Sequence, residues 1–152
     1  MAVLLQKWRD GWKAQPVPFK VLAVLAVLSV MLGILARTYR LGEPDKIVFD
    51  EVYFPVFAWN YLHGVQSFDA HPPFGKFIIA VALAVFGNRS FAWRLMPSLF
   101  GIGLIFLVGY LWWKYQRDRA GAIMLMLIVA LEGIFITYSR TGLMDGVLVF
   151  FV

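Results

Sequence analysis

Asp50 and Glu51 stand side by side in Phe49-Asp50-Glu51-Val52-Tyr53-Phe54, and the chain then runs on to Phe68-Asp69-Ala70-His71-Pro72-Pro73-Phe74-Gly75-Lys76. Hydrophobic neighbours surround the paired acids. Such surroundings can keep a carboxylate basic enough to take a proton from a hydroxyl group. The two prolines fix an extended turn and leave the first-turn N–H groups of the following helix open, which favours an anion, and Lys76 adds a positive charge one turn in. A lipid phosphate would suit that place. A third cluster, Ser139-Arg140-Thr141-Gly142-Leu143-Met144-Asp145, offers an arginine able to clamp a phosphate and an acid at the mouth of an apolar run.

Each of these residues also has a plainer reading. Asp50 caps a helix over Glu51 to His63 while Glu51 complements its dipole, with Pro55 tolerated in the first turn. Pro72-Pro73 is a helix entry, Lys76 a snorkelling lysine and Arg140 an interfacial anchor. His71 alone fits a structural hydrogen bond as well as the positioning of a substrate. Asp145 would pair with a cation or orient a substrate. Glu132 falls inside an apolar segment, where an ionised acid costs roughly 2.5–3.5 kcal/mol, and it is given no chemistry. Asn88-Arg89-Ser90 matches the short glycosylation pattern. The sequence holds no glycine-rich phosphate loop, no nucleophile elbow and no histidine cluster with zinc spacing. With no cysteine, a disulfide or thiolate metal site is excluded.

The elements that must position these residues are set by lipid. The chain has 152 residues, is 61% hydrophobic and has a mean hydropathy of +0.75. That excess over an ordinary soluble domain points to a membrane protein. The net charge of +5 is spread out, without the dense basic run of a nucleic-acid binder, so membrane lipids are the expected partners. Fourteen Phe, six Trp and six Tyr suit aromatic belts at two interfaces. The pattern predicts an all-α, multi-pass transmembrane protein. It divides into a cytoplasmic segment 1–18, a first span 19–36, an external connection 37–94 carrying interfacial helices, a second span 95–113, a cytoplasmic turn 114–119, a third span 120–138, and an external turn 139–152 opening a fourth helix near Leu143. Phe74–Gly87 is too short an apolar run to span easily. Lys114, Arg117 and Arg119 in a short connection mark the cytoplasmic side. This topology puts Asp50, Glu51, His71, Lys76, Arg140 and Asp145 on one face. A four-span topology, with Phe74–Gly87 crossing, would separate Arg140 and Asp145 from Asp50. The chain stops inside an apolar run, which reads as a fragment of something longer.

Taken with Ala92-Trp93-Arg94, the three motifs resemble, in order, those of protein O-mannosyltransferases over about two-thirds of the chain, from Asp45 onward. The resemblance implies the N-terminal portion of a GT-C-type membrane glycosyltransferase. Such an enzyme moves mannose from a polyprenyl-phosphate carrier to Ser or Thr hydroxyls of proteins, on the non-cytoplasmic face of a bacterial plasma membrane or of the endoplasmic reticulum. It implies Asp50 as catalytic base, Glu51 positioning the acceptor or the base, and a single inverting displacement without a covalent sugar intermediate. Lys76 and Arg140 are the candidates for the donor phosphate, and His71 and Asp145 for positioning substrate. No cofactor is required; relatives in the wider fold use a divalent metal, for which Asp145 alone is too few ligands. Two alternatives stay open: a related transferase acting on lipid A or another glycan, and a non-catalytic membrane module that docks a partner.

Overall fold

The computed structural model describes Gln6, residues 17–66, Phe68 and residues 71–152. The expected cytoplasmic segment, apart from Gln6 and the last residues before the first span, lies outside the described residues, as do Asp69 and Ala70 of the second motif. Among the described residues the fold is all-helical: α1 Val17–Thr38, a 3₁₀ turn Phe49–Val52, α2 Phe54–Leu62, α3 Phe74–Phe86, α4 Ser90–Gln116, α5 Arg119–Leu131, α6 Gly133–Arg140 and α7 Asp145–Phe151.

α1 and α4 are each long and apolar enough to cross a membrane, and α5 with α6 would make a third crossing bent by 56°. The outward side chains of α1, including Val24, Leu28, Met31 and Leu35, are more than half exposed, as befits a surface solvated by lipid or further helices. α4 and α5 run antiparallel through a two-residue turn. Arg117 there takes the left-handed conformation (φ 57°), and the Asp118 carboxylate accepts hydrogen bonds from the N–H groups of Ala120 and Gly121 at 3.0 Å each. That cap satisfies two donors that a helix start leaves open.

Several elements depart from the sequence expectations. The first helix runs past Ala36 to Thr38, so Arg37, assigned to the external connection, is helical and fully buried. The second begins at Ser90 rather than Leu95, which puts Arg94 inside it and buries that side chain as well. The single helix expected over Glu51 to His63 is a 3₁₀ turn followed by α2, with Pro55 at the start of α2, where its missing N–H costs no bond. The third span is broken at Glu132, whose backbone is extended (φ −67°, ψ 125°). Its carboxylate accepts the Phe135 N–H at 2.8 Å and caps α6. The acid placed in an apolar run is therefore a helix cap.

Two cores hold the parts together. In the membrane layer Val30 of α1, Leu104 and Ile105 of α4, and Val129 and Ala130 of α5 are packed against one another. Glycines let the backbones approach: a Cβ at Gly33 would lie 2.7 Å from the Ala130 carbonyl oxygen, and one at Gly101 would lie 2.0 Å from Ser139 Oγ. Small residues at helix contacts are the usual means of close packing in lipid. The second core joins α2, α3 and the start of α4 through Phe54, Ala58, Ile79, Leu83 and Trp93, with Leu143 from the turn before α7. This cluster docks the connection between the first two spans onto the end of the bundle.

Candidate active site

The site is built around Glu51. Its carboxylate is fully buried and fully engaged. Arg94 grips it with two bonds, Nε to Oε1 at 2.7 Å and Nη2 to Oε2 at 2.8 Å. Oε2 also accepts the Val48 N–H at 3.0 Å, and Oε1 the Gly142 N–H at 2.8 Å. The other donors of Arg94 reach the carbonyls of Pro44 (3.0 Å), Lys46 (2.9 Å) and Leu41 (3.3 Å). Ser90 Oγ donates to Asp45 at 2.7 Å beside them. Two-pronged arginine–carboxylate pairs fix orientation as well as distance. One buried ion pair thus ties residues 41–51 to α4 and to the turn between Arg140 and Asp145.

Burial alone would push the Glu51 carboxyl up, but the Arg94 hydrogen bonds, the Gly142 and Val48 N–H groups and the Arg94 charge together hold it below its ordinary value of 4.5. A carboxyl lowered by folding contributes stability that is fully present above its unfolded pKa and is lost as pH falls through its folded one. The docked loop is therefore expected to loosen as pH falls below 4.5. Limited proteolysis of residues 39–66 in detergent across that range should show cleavage rising with acid, and Glu51→Gln should flatten the profile.

Fixed by this joint, Asp50 and Asp145 face a common cavity of about 430 Å³, of a size suited to a small ligand. Its polar lining is Asp50, His71 and Asp145; its apolar walls come from Phe54, Phe74, Leu148 and Phe151. Asp50 is half-buried and Asp145 exposed, and among the described residues neither carboxylate has a hydrogen-bond or ion-pair partner. The His71 ring meets Phe54 edge-on at 5.5 Å. An acid with spare lone pairs beside an apolar wall can take a proton from a hydroxyl while the wall holds hydrocarbon.

The structure brings Asp50, His71 and Asp145 to the cavity and keeps the other three predicted site residues out of it. Glu51 has no lone pair left to offer a substrate, so it acts on the site only by holding it. Lys76 is fully buried; its Nζ donates to the His71 carbonyl at 2.8 Å and lies 5.7 Å and 6.0 Å from the ring centres of Phe57 and Tyr61. Burial pulls its pKa below the ordinary lysine value. The ammonium braces the entry to α3 and does not line the cavity. Arg140 donates to the Ala36 carbonyl and is likewise absent from the lining. Each of these cations, expected to hold a donor phosphate, thus stands outside the cavity lining and gives a hydrogen bond to a backbone carbonyl, with donors to spare. Sequence reasoning named Arg94 within a motif but gave it no role, and it passed over Arg37. The available signal was an arginine directly abutting an apolar run, where an unpartnered charge is too costly to keep. Among the described residues no three His, Asp or Glu side chains converge to hold a metal.

These features define a helical membrane protein whose polar connection folds back onto one end of its spans and presents unpaired carboxylates to a partly apolar cavity. The profile of the dolichyl-phosphate-mannose-protein mannosyltransferases matches residues 27–90 and 84–152, and the chain belongs to that family. It is 34% identical over 140 residues to the polyprenol-phosphate-mannose–protein mannosyltransferase of Mycobacterium tuberculosis (strain ATCC 25618 / H37Rv), covering 85% of this chain and 27% of that protein. Dolichyl-phosphate-mannose–protein mannosyltransferase 4 of Candida albicans (strain SC5314 / ATCC MYA-2876) is 48% identical over 62 residues, 41% of this chain and 8% of that protein. Protein O-mannosyltransferase 1 of Drosophila melanogaster is 31% identical over 160 residues, 92% of this chain and 18% of that protein. The chain thus spans 27% or less of the length of these curated relatives. No solved structure matches it.

Proposed function

We propose that this chain forms one wall of the active site of an enzyme that transfers mannose from a polyprenyl-phosphate carrier to Ser or Thr hydroxyls of a protein acceptor. The observation that carries the reading is the pair of unpartnered carboxylates, Asp50 and Asp145, on one partly apolar cavity in a chain of this family. Asp50 is the base. As the acceptor oxygen bonds to the sugar's anomeric carbon, its proton passes to the Asp50 carboxylate. The bond from that carbon to the phosphate oxygen breaks, and its electron pair leaves on the lipid phosphate. Attack and departure on opposite faces invert the centre, so one base suffices. Asp145 and His71 orient the sugar or the acceptor hydroxyl, and the apolar walls receive the first part of the carrier's hydrocarbon.

Lys76 and Arg140, outside the described lining, are the cations assigned to the charge of the departing phosphate in this reading. The reaction needs no cofactor in this reading. The cavity opens on the non-cytoplasmic face, opposite the Arg117–Asp118 turn, and the topology is multi-pass with the N-terminus inside. Support comes from the arginines and lysine gathered at that turn and from the docking of α2 and α3, through Phe54, Ala58, Ile79 and Leu83, on the other end of the bundle. The test is transfer itself. The full-length protein, reconstituted in vesicles, should move radiolabelled mannose from polyprenyl-phosphate-mannose onto a Ser/Thr peptide and not onto the same peptide with alanines. Label appearing on lipid or glycan instead of peptide would overturn the acceptor assignment.

A further inference from the structure

Arg37 lies within α1 and is fully buried, at the level where the third span breaks. Its Nη1 donates to the carbonyls of Gly33 (2.9 Å) and Ala130 (2.8 Å), and its Nη2 to that of Val129 (2.9 Å). In an unbroken helix the Val129 and Ala130 carbonyls would accept from the N–H groups of Gly133 and Ile134. The extended backbone at Glu132 takes those donors away. The guanidinium replaces them with its own, in a layer where an unsatisfied carbonyl is expensive. Below the break the N–H of Phe135 is answered by Glu132, so both sides of the bend are closed by side chains. Close by, Ser98 Oγ donates to the Arg37 carbonyl at 3.1 Å, and Ser139 packs on Gly101 beside the Arg37 Nε, while Glu132 is the opposite charge that acts on the guanidinium and Arg140 meets the neighbouring Ala36 carbonyl.

The bend has a geometrical outcome. It turns α6 so that Arg140 meets the Ala36 carbonyl, and the turn that follows puts the Gly142 N–H on Glu51 and Asp145 on the cavity. We infer that Arg37 is a positioning residue: by supplying the hydrogen bonds the break removes, it holds the 56° bend between α5 and α6 and thereby the placement of Asp145 opposite Asp50. Its bearing on turnover rests on the function proposed above; the bend itself does not, and it is measured without turnover.

The chain contains no cysteine, so single cysteines introduced for spin labels report cleanly. Labels at Phe106 on α4 and Tyr138 on α6, both exposed, read the bend; labels at Val24 and Phe106 read α1 against α4. The protein is held in phosphatidylcholine nanodiscs. Relaxing the bend by about 20° swings the far end of an eight-residue helix, about 12 Å long, by about 4 Å. In Arg37→Met the 106–138 distance is expected to shift by up to about 3 Å, since Tyr138 stands two residues short of that end, or to broaden, while the 24–106 distance stays as in the parent. Both pairs unchanged overturns the inference. Both pairs disturbed also overturns it, because the side chain then supports the bundle at large. If the methionine variant does not insert, Arg37→Lys is read in the same way: it keeps the charge but replaces the fork that reaches two adjacent carbonyls by a single point, and an unchanged 106–138 distance overturns the inference.

Discussion

Asp50→Asn in the full-length protein is expected to lower the rate of mannose transfer by about 10²–10⁴-fold, the usual contribution of a positioned general base. The amide fills the same space and leaves the cavity walls alone, so affinity for the lipid-linked donor should hardly change. Asp50 has no partner among the described residues, so the substitution breaks no bond that holds the fold. This separates the variant from changes at Glu51, where loss of activity would reflect loss of the joint. Single-turnover rates with saturating donor, beside donor binding by equilibrium dialysis, provide the two readings. Equal loss of binding and turnover would show that Asp50 holds the substrate instead of taking its proton.

Arg94→Ala carries the largest expected effect on stability. Removing one partner of a buried ion pair costs about 3–5 kcal/mol, because the remaining charge is left without compensation. Glu51 keeps the Val48 and Gly142 N–H groups but loses both guanidinium bonds; the Leu41 and Lys46 carbonyls lose their Arg94 donors, and that of Pro44 keeps only the Lys46 N–H. Residues 39–66 should undock from α4 while the spans stay inserted, since the membrane core is a separate cluster. Protease sensitivity of the loop, with unchanged protection of the spans, would report this. Pairing Arg94→Met with Glu51→Leu should recover part of the loss, since an apolar pair of similar volume leaves no buried charge.

The sequence made the helical membrane class legible because hydropathy reports directly on the solvent a segment prefers. It also marked Asp50, His71 and Asp145, since polar residues beside apolar runs are costly enough to have a reason. What it did not disclose was the division of labour among the charges. Lys76 and Arg140 look like phosphate ligands in one dimension; only the fold shows that they stand outside the cavity lining and donate to the carbonyls of His71 and Ala36. Arg37 and Arg94 were placed in the connection by charge alone, because a window of hydropathy ends where a charge appears, whereas a helix ends where its hydrogen bonds do. The break at Glu132 was hidden for a similar reason: no proline or glycine precedes it, and a carboxylate that serves as a cap has the same letter as one that does not. Glu51 and Asp50 are adjacent in sequence, yet one is sealed in the core and the other opens to the cavity, a distinction set by the turn and by partners far along the chain.

One of those partners has a bearing on biosynthesis. The Gly142 N–H that completes the Glu51 cage lies 91 residues downstream of it. At about 5–20 residues per second, a ribosome adds that stretch in roughly 5–20 s. During this interval the carboxylate has at most Arg94 and Val48 to hold it, and the cavity has only the wall that Asp50 belongs to. The two acids come to one cavity only after α5, α6 and the turn that follows them have been made. A nascent chain arrested before that point would carry Asp50 without Asp145, and so only one wall of the cavity.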